Sequence, residues 1–322
     1  YRARNYKTRK RDIRILKLMN FKAAQNISYS KILFYFISCI LICYYFNFDE
    51  IIFKRPQSLH LWRQSDCLSI TDHYYKGNQF LNNQVYYLGD KNDGKTMSEM
   101  PILYYTIGKI WQFTGKNEAI YRFIILFIFI SSNFFFFYTR EKIKPDFFYN
   151  NISSLFLFGS PIVAYYSLNF LMDLPALSLS IIGISHYYLF KKFNKNSHKY
   201  FFFLFFTLAG LLKISSLISF IAIILFEIIF TKDVIKISFK KSWLLILSLI
   251  SIQIIWYKYA AYYNSIHNSG IFLIGTLPIW NMTSEEINIT SKAILEHIKW
   301  DYFSLSASYF LSLIHISQGI VR

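Results

Sequence analysis

The chain has 322 residues, 54% of them hydrophobic and 20% aromatic, with only 16% charged and a formal net charge of +17. That leaves too few polar residues to cover a soluble domain of this length, and several apolar runs exceed the roughly 18 residues that mark a membrane span. An ordinary soluble globule is excluded, and the expected fold is all-α, a polytopic transmembrane helical bundle.

The first 31 residues carry Arg2, Arg4, Lys7, Arg9, Lys10, Arg11, Arg14, Lys17, Lys22 and Lys31 against Asp12 alone, and they lead straight into an apolar run at 32–48. A basic flank before a first span marks the cytoplasmic side, and this placement accounts for the positive charge without nucleic acid. The run is long, late and followed by no small-residue cleavage pattern, so no cleavable signal is read. Further spans are expected at 119–138, 147–166, 174–190, 200–212, 214–230 and 243–263, the third interrupted by Gly159-Ser160-Pro161. Segment 101–113, PILYYTIGKIWQF, is too short to cross and holds Lys109. If it lies flat, segments 1–31, 139–146, 191–199 and 231–241 share the cytoplasmic side with 21 basic residues against 4 acidic ones, and the loop 49–118 lies outside with eight of each. If it crosses, the later basic loops move outside and the rule breaks, so it is expected to be an amphipathic helix in the interface.

The chain thus divides into a basic tail (1–31), a transmembrane core (32–263) with an outer loop at 49–118, and a C-terminal part (264–322) that holds an outer polar loop and the start of a further apolar helix. It begins at Tyr1 and stops just after the apolar run 302–316, so it reads as a fragment lacking its start and a C-terminal part. Cys39, Cys43 and Cys67 form no CxxC pair and no even framework, so neither disulfide nor zinc is indicated. The sequons at Asn281 and Asn288 lie in the outer polar loop and matter only if the host glycosylates there.

The loop 61–101 holds the polar groups most suited to chemistry or its support: Arg63, Gln64, Asp66, Asp72, His73, Lys95 and Glu99. Gly77-Asn78 is a natural stop for a helix over 62–77, whose spacing sets Arg63, Asp66 and Ile70 on one face with His73 a turn further on. Asp66 is then either a base or half of a surface ion pair with Arg63, worth under about 1 kcal/mol. Glu99 is either a second site carboxylate or an acid beside a helix capped by Ser98, with Pro101 early in it. Asp173, directly before Leu174-Pro175, is likewise a helix cap or a site acid. Lys213 between two apolar halves would cost roughly 2.5–3.5 kcal/mol in lipid, so it snorkels outward or meets an anion such as a lipid phosphate. Arg122 and Lys258 read as interface anchors. His73, His267 and His297 lack ligand spacing, and no metal site is read.

In order, WRQSD (62–66), EMPILYY (99–105), NEAIYRF (117–123), YYSLNFLMDLPAL (165–177) and LAGLLK (208–213) resemble the GT-C superfamily of membrane glycosyltransferases, nearest the protein O-mannosyltransferase and aminoarabinose transferase branch. The resemblance covers about residues 55–230. It implies a helical membrane domain whose first outer loop forms juxtamembrane helices around the active site. By position it makes Asp66 the catalytic general base, with Glu99 and Asp173 as further catalytic-site carboxylates that would orient the acceptor, a cation or the base. Lys213 and Arg63 would meet the donor phosphate, and Gln64, His73 and Tyr104 would position substrate. Two departures stand out: Ser65 precedes Asp66 where many relatives pair Asp with Glu, and Met100 replaces the lysine of the aminoarabinose branch. The implied reaction moves a sugar, with inversion, from a polyprenyl-phosphate donor to the hydroxyl of a glycan, lipid or protein. It would take place on the outer face of a bacterial inner membrane, with membrane lipids as partners, no nucleic acid, and a divalent cation as the one candidate cofactor. The rival classes are a transporter or flippase of lipid-linked glycans and a non-catalytic subunit of a polysaccharide assembly complex. A transporter would hold its charges near the midplane and show repeat symmetry; here the charges lie at span ends and no repeat is visible.

Overall fold

The computed structural model describes residues 27–58, 60–86, 93–230, 242–269 and 279–298. Most of the basic tail, the basic stretch 231–241 and the apolar run 302–316 lie outside them. The described residues form twelve α-helices and no strand: α1 (Tyr29–Tyr45), α2 (Phe48–Ile51), α3 (Leu61–Tyr75), α4 (Ile102–Thr114), α5 (Glu118–Ile143), α6 (Phe147–Leu155), α7 (Pro161–Ser167), α8 (Asp173–Phe193), α9 (Asn196–Leu212), α10 (Leu217–Phe230), α11 (Trp243–Ile266) and α12 (Ser284–Ala293).

The helix ends follow local chemistry. α5 starts where the Asn117 side chain accepts from the Ala119 amide, with Glu118 in its first turn and Arg140 and Lys142 in its last, all favourable to the helix dipole. α3 stops as expected before Gly77, whose φ of 112° only glycine adopts readily. The expected third span is two short helices instead. Residue 160 turns extended before Pro161, as a pre-proline residue tends to, and α7 restarts at the proline. Two helices, α5 and α11, are long and apolar enough to cross a membrane, while α1 and the stretch Ile214–Phe230 are apolar but shorter.

The packing core lies between α5, α8 and α9. On α5, Tyr121, Ile125, Phe129 and Phe137 recur at helical spacing and are fully buried. α8 packs along both α5 and α9. It buries Ser178, Ser180, Gly183 and Ser185, small residues that let helix backbones approach closely. The three hydroxyls donate to carbonyls one turn back at 2.8–3.1 Å, so none is left unsatisfied. The outward faces of α1, α10 and α11 are the reverse of a soluble surface: Ile40, Leu41, Ile218, Ile221, Leu244 and Ile255 are all exposed.

The bundle has two polar ends, with α5 and α8 running one way and α1 and α9 the other. At one, Lys31 meets Glu141 at 2.8 Å, and Lys142 lies 5.7 Å over the Phe193 ring, joining the start of α1 to the ends of α5 and α8. At the other, the start of α8 meets the end of α9 through Asp173 and Lys213, and the Met100 amide just before α4 donates to the Leu211 carbonyl of α9. One expectation is corrected in the C-terminal polar loop. Residues 284–293 form α12, begun by a reciprocal capping box between Thr283 and Glu286.

Candidate functional site

The site is built on α3. Cys67, Thr71 and Tyr74 meet Tyr104 and Gly108 of α4, and Asp66 and Ile70 of the same helix are buried as well. Gly108 of α4 makes the approach possible, since a Cβ there would stand 2.7 Å from the Tyr74 Cβ. The same contact brings the Tyr104 hydroxyl to 3.1 Å from the Cys67 sulfur.

A strap over 96–100 closes against this surface. The Asn264 side chain, at the end of α11, accepts from the Met97 amide at 2.7 Å and donates to its carbonyl at 2.8 Å. The Trp256 indole donates to the Ser98 carbonyl at 3.0 Å, and the Met100 amide donates to the Leu211 carbonyl at 2.9 Å. These bonds fix Glu99 against Arg63, with Nη2 to Oε2 at 2.5 Å, and Ser98 Oγ accepts from the same nitrogen at 3.0 Å while donating to Glu99. Because Leu211 belongs to the last turn of α9, the strap also lies beside Lys213.

The charges respond accordingly. Burial would raise the Glu99 carboxyl, but Arg63 and Ser98 outweigh it and hold it below its usual range. Burial works against the Arg63 charge, yet Glu99 keeps it firmly protonated. Cys67 is pushed up to about 12 by burial, against a smaller pull from Arg63, so it stays a thiol. Asp66 differs from Glu99. It is 5% exposed, and its Oδ2 lies buried with no hydrogen-bond partner among the described residues. Burial raises its carboxyl above the ordinary value, against a weaker opposing pull from Arg63.

Asp173 and Lys213 form the second pair, 3.2 Å apart. Both line a cavity of about 300 Å³ with Ser180, Ser215, Ser216 and Ser219, and the Ser216 hydroxyl lacks a partner among the described residues. Asp66 and Glu99 are not among its walls. Neither Asp173 nor Glu99 acts as a helix cap: α8 starts on Asp173 with Met172 before it, α4 follows Pro101, and neither end has a side-chain cap bond. Lys213 meets an anion, as one of its two readings required.

The other expected residues separate. Gln64 lies about 160° around α3 from Asp66 and donates to the Gln57 carbonyl and the Tyr165 hydroxyl, facing another cavity. Tyr104 is a buried support beneath α3. His73 lies against Tyr86 with centroids 4.3 Å apart and the rings tilted by 39°, and burial and then Lys76 lower its pKa against a smaller pull from Asp72. Asp72 pairs with Lys116 at 2.7 Å and Lys76 at 3.1 Å and accepts from Tyr86; against the cost of burial these draw it down to about 2. Lys95 pairs with Asp93, which also meets His267 at 2.9 Å. No group of three or more His, Cys, Asp or Glu that could hold a metal occurs among the described residues.

Arg122 is a correction. It is 1% exposed and anchors no interface. Its Nε donates to the Leu168 carbonyl at 2.6 Å, its Nη1 to those of Ile52 and Lys54, and it stacks on Phe170. The signal was present, because a guanidinium within an apolar run must turn inward to polar partners. Ser98, Asn264 and Tyr257, whose hydroxyl lies within reach of the Glu99 charge and the Ile214 backbone, carried no such signal. No protein-family model, curated protein or solved structure matches this chain.

Proposed function

We propose that the chain is a polytopic membrane glycosyltransferase. It moves a sugar from a polyprenyl-phosphate donor to an acceptor hydroxyl, with its N-terminus cytoplasmic and its site at the extracytoplasmic end. The observation that carries the reading is Asp66: a buried carboxylate with a raised pKa and an unoccupied oxygen, at the same bundle end as a lysine-lined cavity. A base whose pKa is shifted toward neutrality is suited to general-base work. Support for the membrane setting comes from two helices of spanning length, the apolar outward faces, and the described basic residues Lys31, Arg140, Lys142 and Lys191 at the end away from the site.

In this mechanism Asp66 takes the proton of the acceptor hydroxyl as its oxygen attacks the anomeric carbon. The bond from that carbon to the phosphate oxygen breaks on the opposite face, the electron pair leaves with the polyprenyl phosphate, and the configuration inverts. Lys213 stabilises the charge that grows on the leaving phosphate. Asp173 holds that lysine until the donor arrives, and the serines around it offer hydroxyls to the sugar. Arg63 has a different task from the one first expected. Clamped by Glu99 and Ser98, it tempers the Asp66 charge and leaves the donor phosphate to Lys213.

The test is transfer of label from a polyprenyl-phospho-sugar by the purified chain in detergent. Asp66→Asn is expected to lose about 10²–10⁴-fold in turnover, the worth of a positioned base. Unchanged turnover removes Asp66 from the role. A folded chain that translocates the donor without transferring its sugar overturns the enzyme reading altogether.

A further inference from the structure

A second cavity of about 300 Å³ opens on the far side of α3, lined by Gln64, Arg122, Tyr165 and Asn169 and by apolar residues including Phe48 and Leu168. Two features of its lining are unusual together. Arg122 is buried, and every hydrogen bond described for it goes to a neutral carbonyl; Glu118 is felt one turn back, but no carboxylate pairs with Arg122 among the described residues. A buried guanidinium without a counter-charge is costly unless an anion completes it. Asn169 is also 1% exposed, and its amide orientation is fixed because Oδ1 accepts from the Leu171 amide at 2.9 Å. Its Nδ2 is therefore a donor, and it has no partner among the described residues. A cation and a spare donor share one pocket whose remaining walls are mostly apolar.

We infer that this cavity binds the oxyanion headgroup of an anionic amphiphile, with Asn169 and Arg122 completing the headgroup and the apolar chain lying against Phe48 and the end of α1. The site is separate from the Lys213 cavity and its occupancy needs no sugar transfer, so it stands apart from the proposed reaction. The chemistry is that of a phosphate on a hydrocarbon chain, which a polyprenyl monophosphate and an anionic phospholipid both supply.

The experiment is thermal unfolding of the purified chain in a neutral detergent, titrated with polyprenyl monophosphate, phosphatidylglycerol, phosphatidylcholine or inorganic phosphate. Saturable stabilisation by either anionic lipid that the pocket variants weaken supports the site, since binding of polyprenyl monophosphate at Lys213 alone would survive them. Stabilisation by the first alone identifies a carrier lipid, and by both a general headgroup. Asn169→Asp places a carboxylate in the pocket, so it is expected to raise the unfolding midpoint without lipid and to weaken the anionic lipid at least about tenfold. Ala164→Phe fills the pocket from its apolar side and is expected to abolish the effect even if the first variant folds poorly. The inference is overturned if anionic lipid stabilises both variants as it does the parent, if no lipid stabilises the parent, or if inorganic phosphate or phosphatidylcholine serves as well.

Discussion

The two ends of the bundle handle buried acids in opposite ways. At the end away from the site, Glu141 receives Lys31 at 2.8 Å, Asn150 at 2.6 Å and the Asp146 amide at 3.0 Å. Glu227 on α10 likewise accepts from Tyr187 and pairs with Lys191 at 3.0 Å. Those carboxylates are spent on joining helices. At the α3 end, Glu99 is satisfied in the same manner, but Asp66 keeps a buried oxygen with no hydrogen-bond partner among the described residues. Burial of an acid is thus no sign of chemistry by itself. The informative acid is the one whose hydrogen bonds are left unmade, because such a group costs stability and persists only if something else depends on it.

Substitutions can break this contrast. The largest effect is expected at Asp66→Asn, which should lose the 10²–10⁴-fold in turnover while its unfolding midpoint holds or rises. A matched fall in midpoint would make Asp66 another structural acid. Glu99→Ala leaves Arg63 without its counter-charge and should cost on the order of 3 kcal/mol of stability, read from thermal or denaturant unfolding in detergent. Glu141→Ala should cost about 1–3 kcal/mol by orphaning its donors, yet leave turnover per folded molecule unchanged. A selective loss of turnover there would erase the distinction between the ends.

The smaller effects are in pH. Asp66 has a raised pKa, so the stability it contributes is complete below the ordinary carboxylate value and is lost as pH rises through the raised one. Asp66→Asn should therefore gain on the parent as pH increases, while turnover of the parent falls as pH drops through the same value. Asp72 has the opposite sign. Drawn down to about 2, it contributes stability above the ordinary value of 3.8 that disappears as pH falls toward 2. Asp72→Asn should flatten that acid limb of the unfolding midpoint, and an unchanged limb would assign it to other groups.

Much of the local structure was readable beforehand. The stop at Gly77, the break before Pro161 and the separate helices either side of Lys213 all follow from backbone chemistry within a few residues. The capping box at Thr283 and Glu286 was equally visible and marks α12, which the reading as a polar loop passed over. The site was legible in its composition but not in its pairings. Spacing suggested an Arg63–Asp66 pair one turn apart, whereas Arg63 takes Glu99, 36 residues away. Capping was a fair reading for Asp173 until Lys213 reached it from the end of α9.

By itself, the order of residues determined that the chain is helical, where most helices begin and end, and which side chains are too polar to be left among apolar neighbours. Those outcomes depend on hydrogen bonds and dihedral preferences acting over one or two turns. The tertiary structure alone decided which acid is neutralised and which is left wanting. That choice rests on Asn264, Trp256 and Leu211 holding the strap by its backbone, and contacts between such distant positions leave no periodic trace in a single sequence.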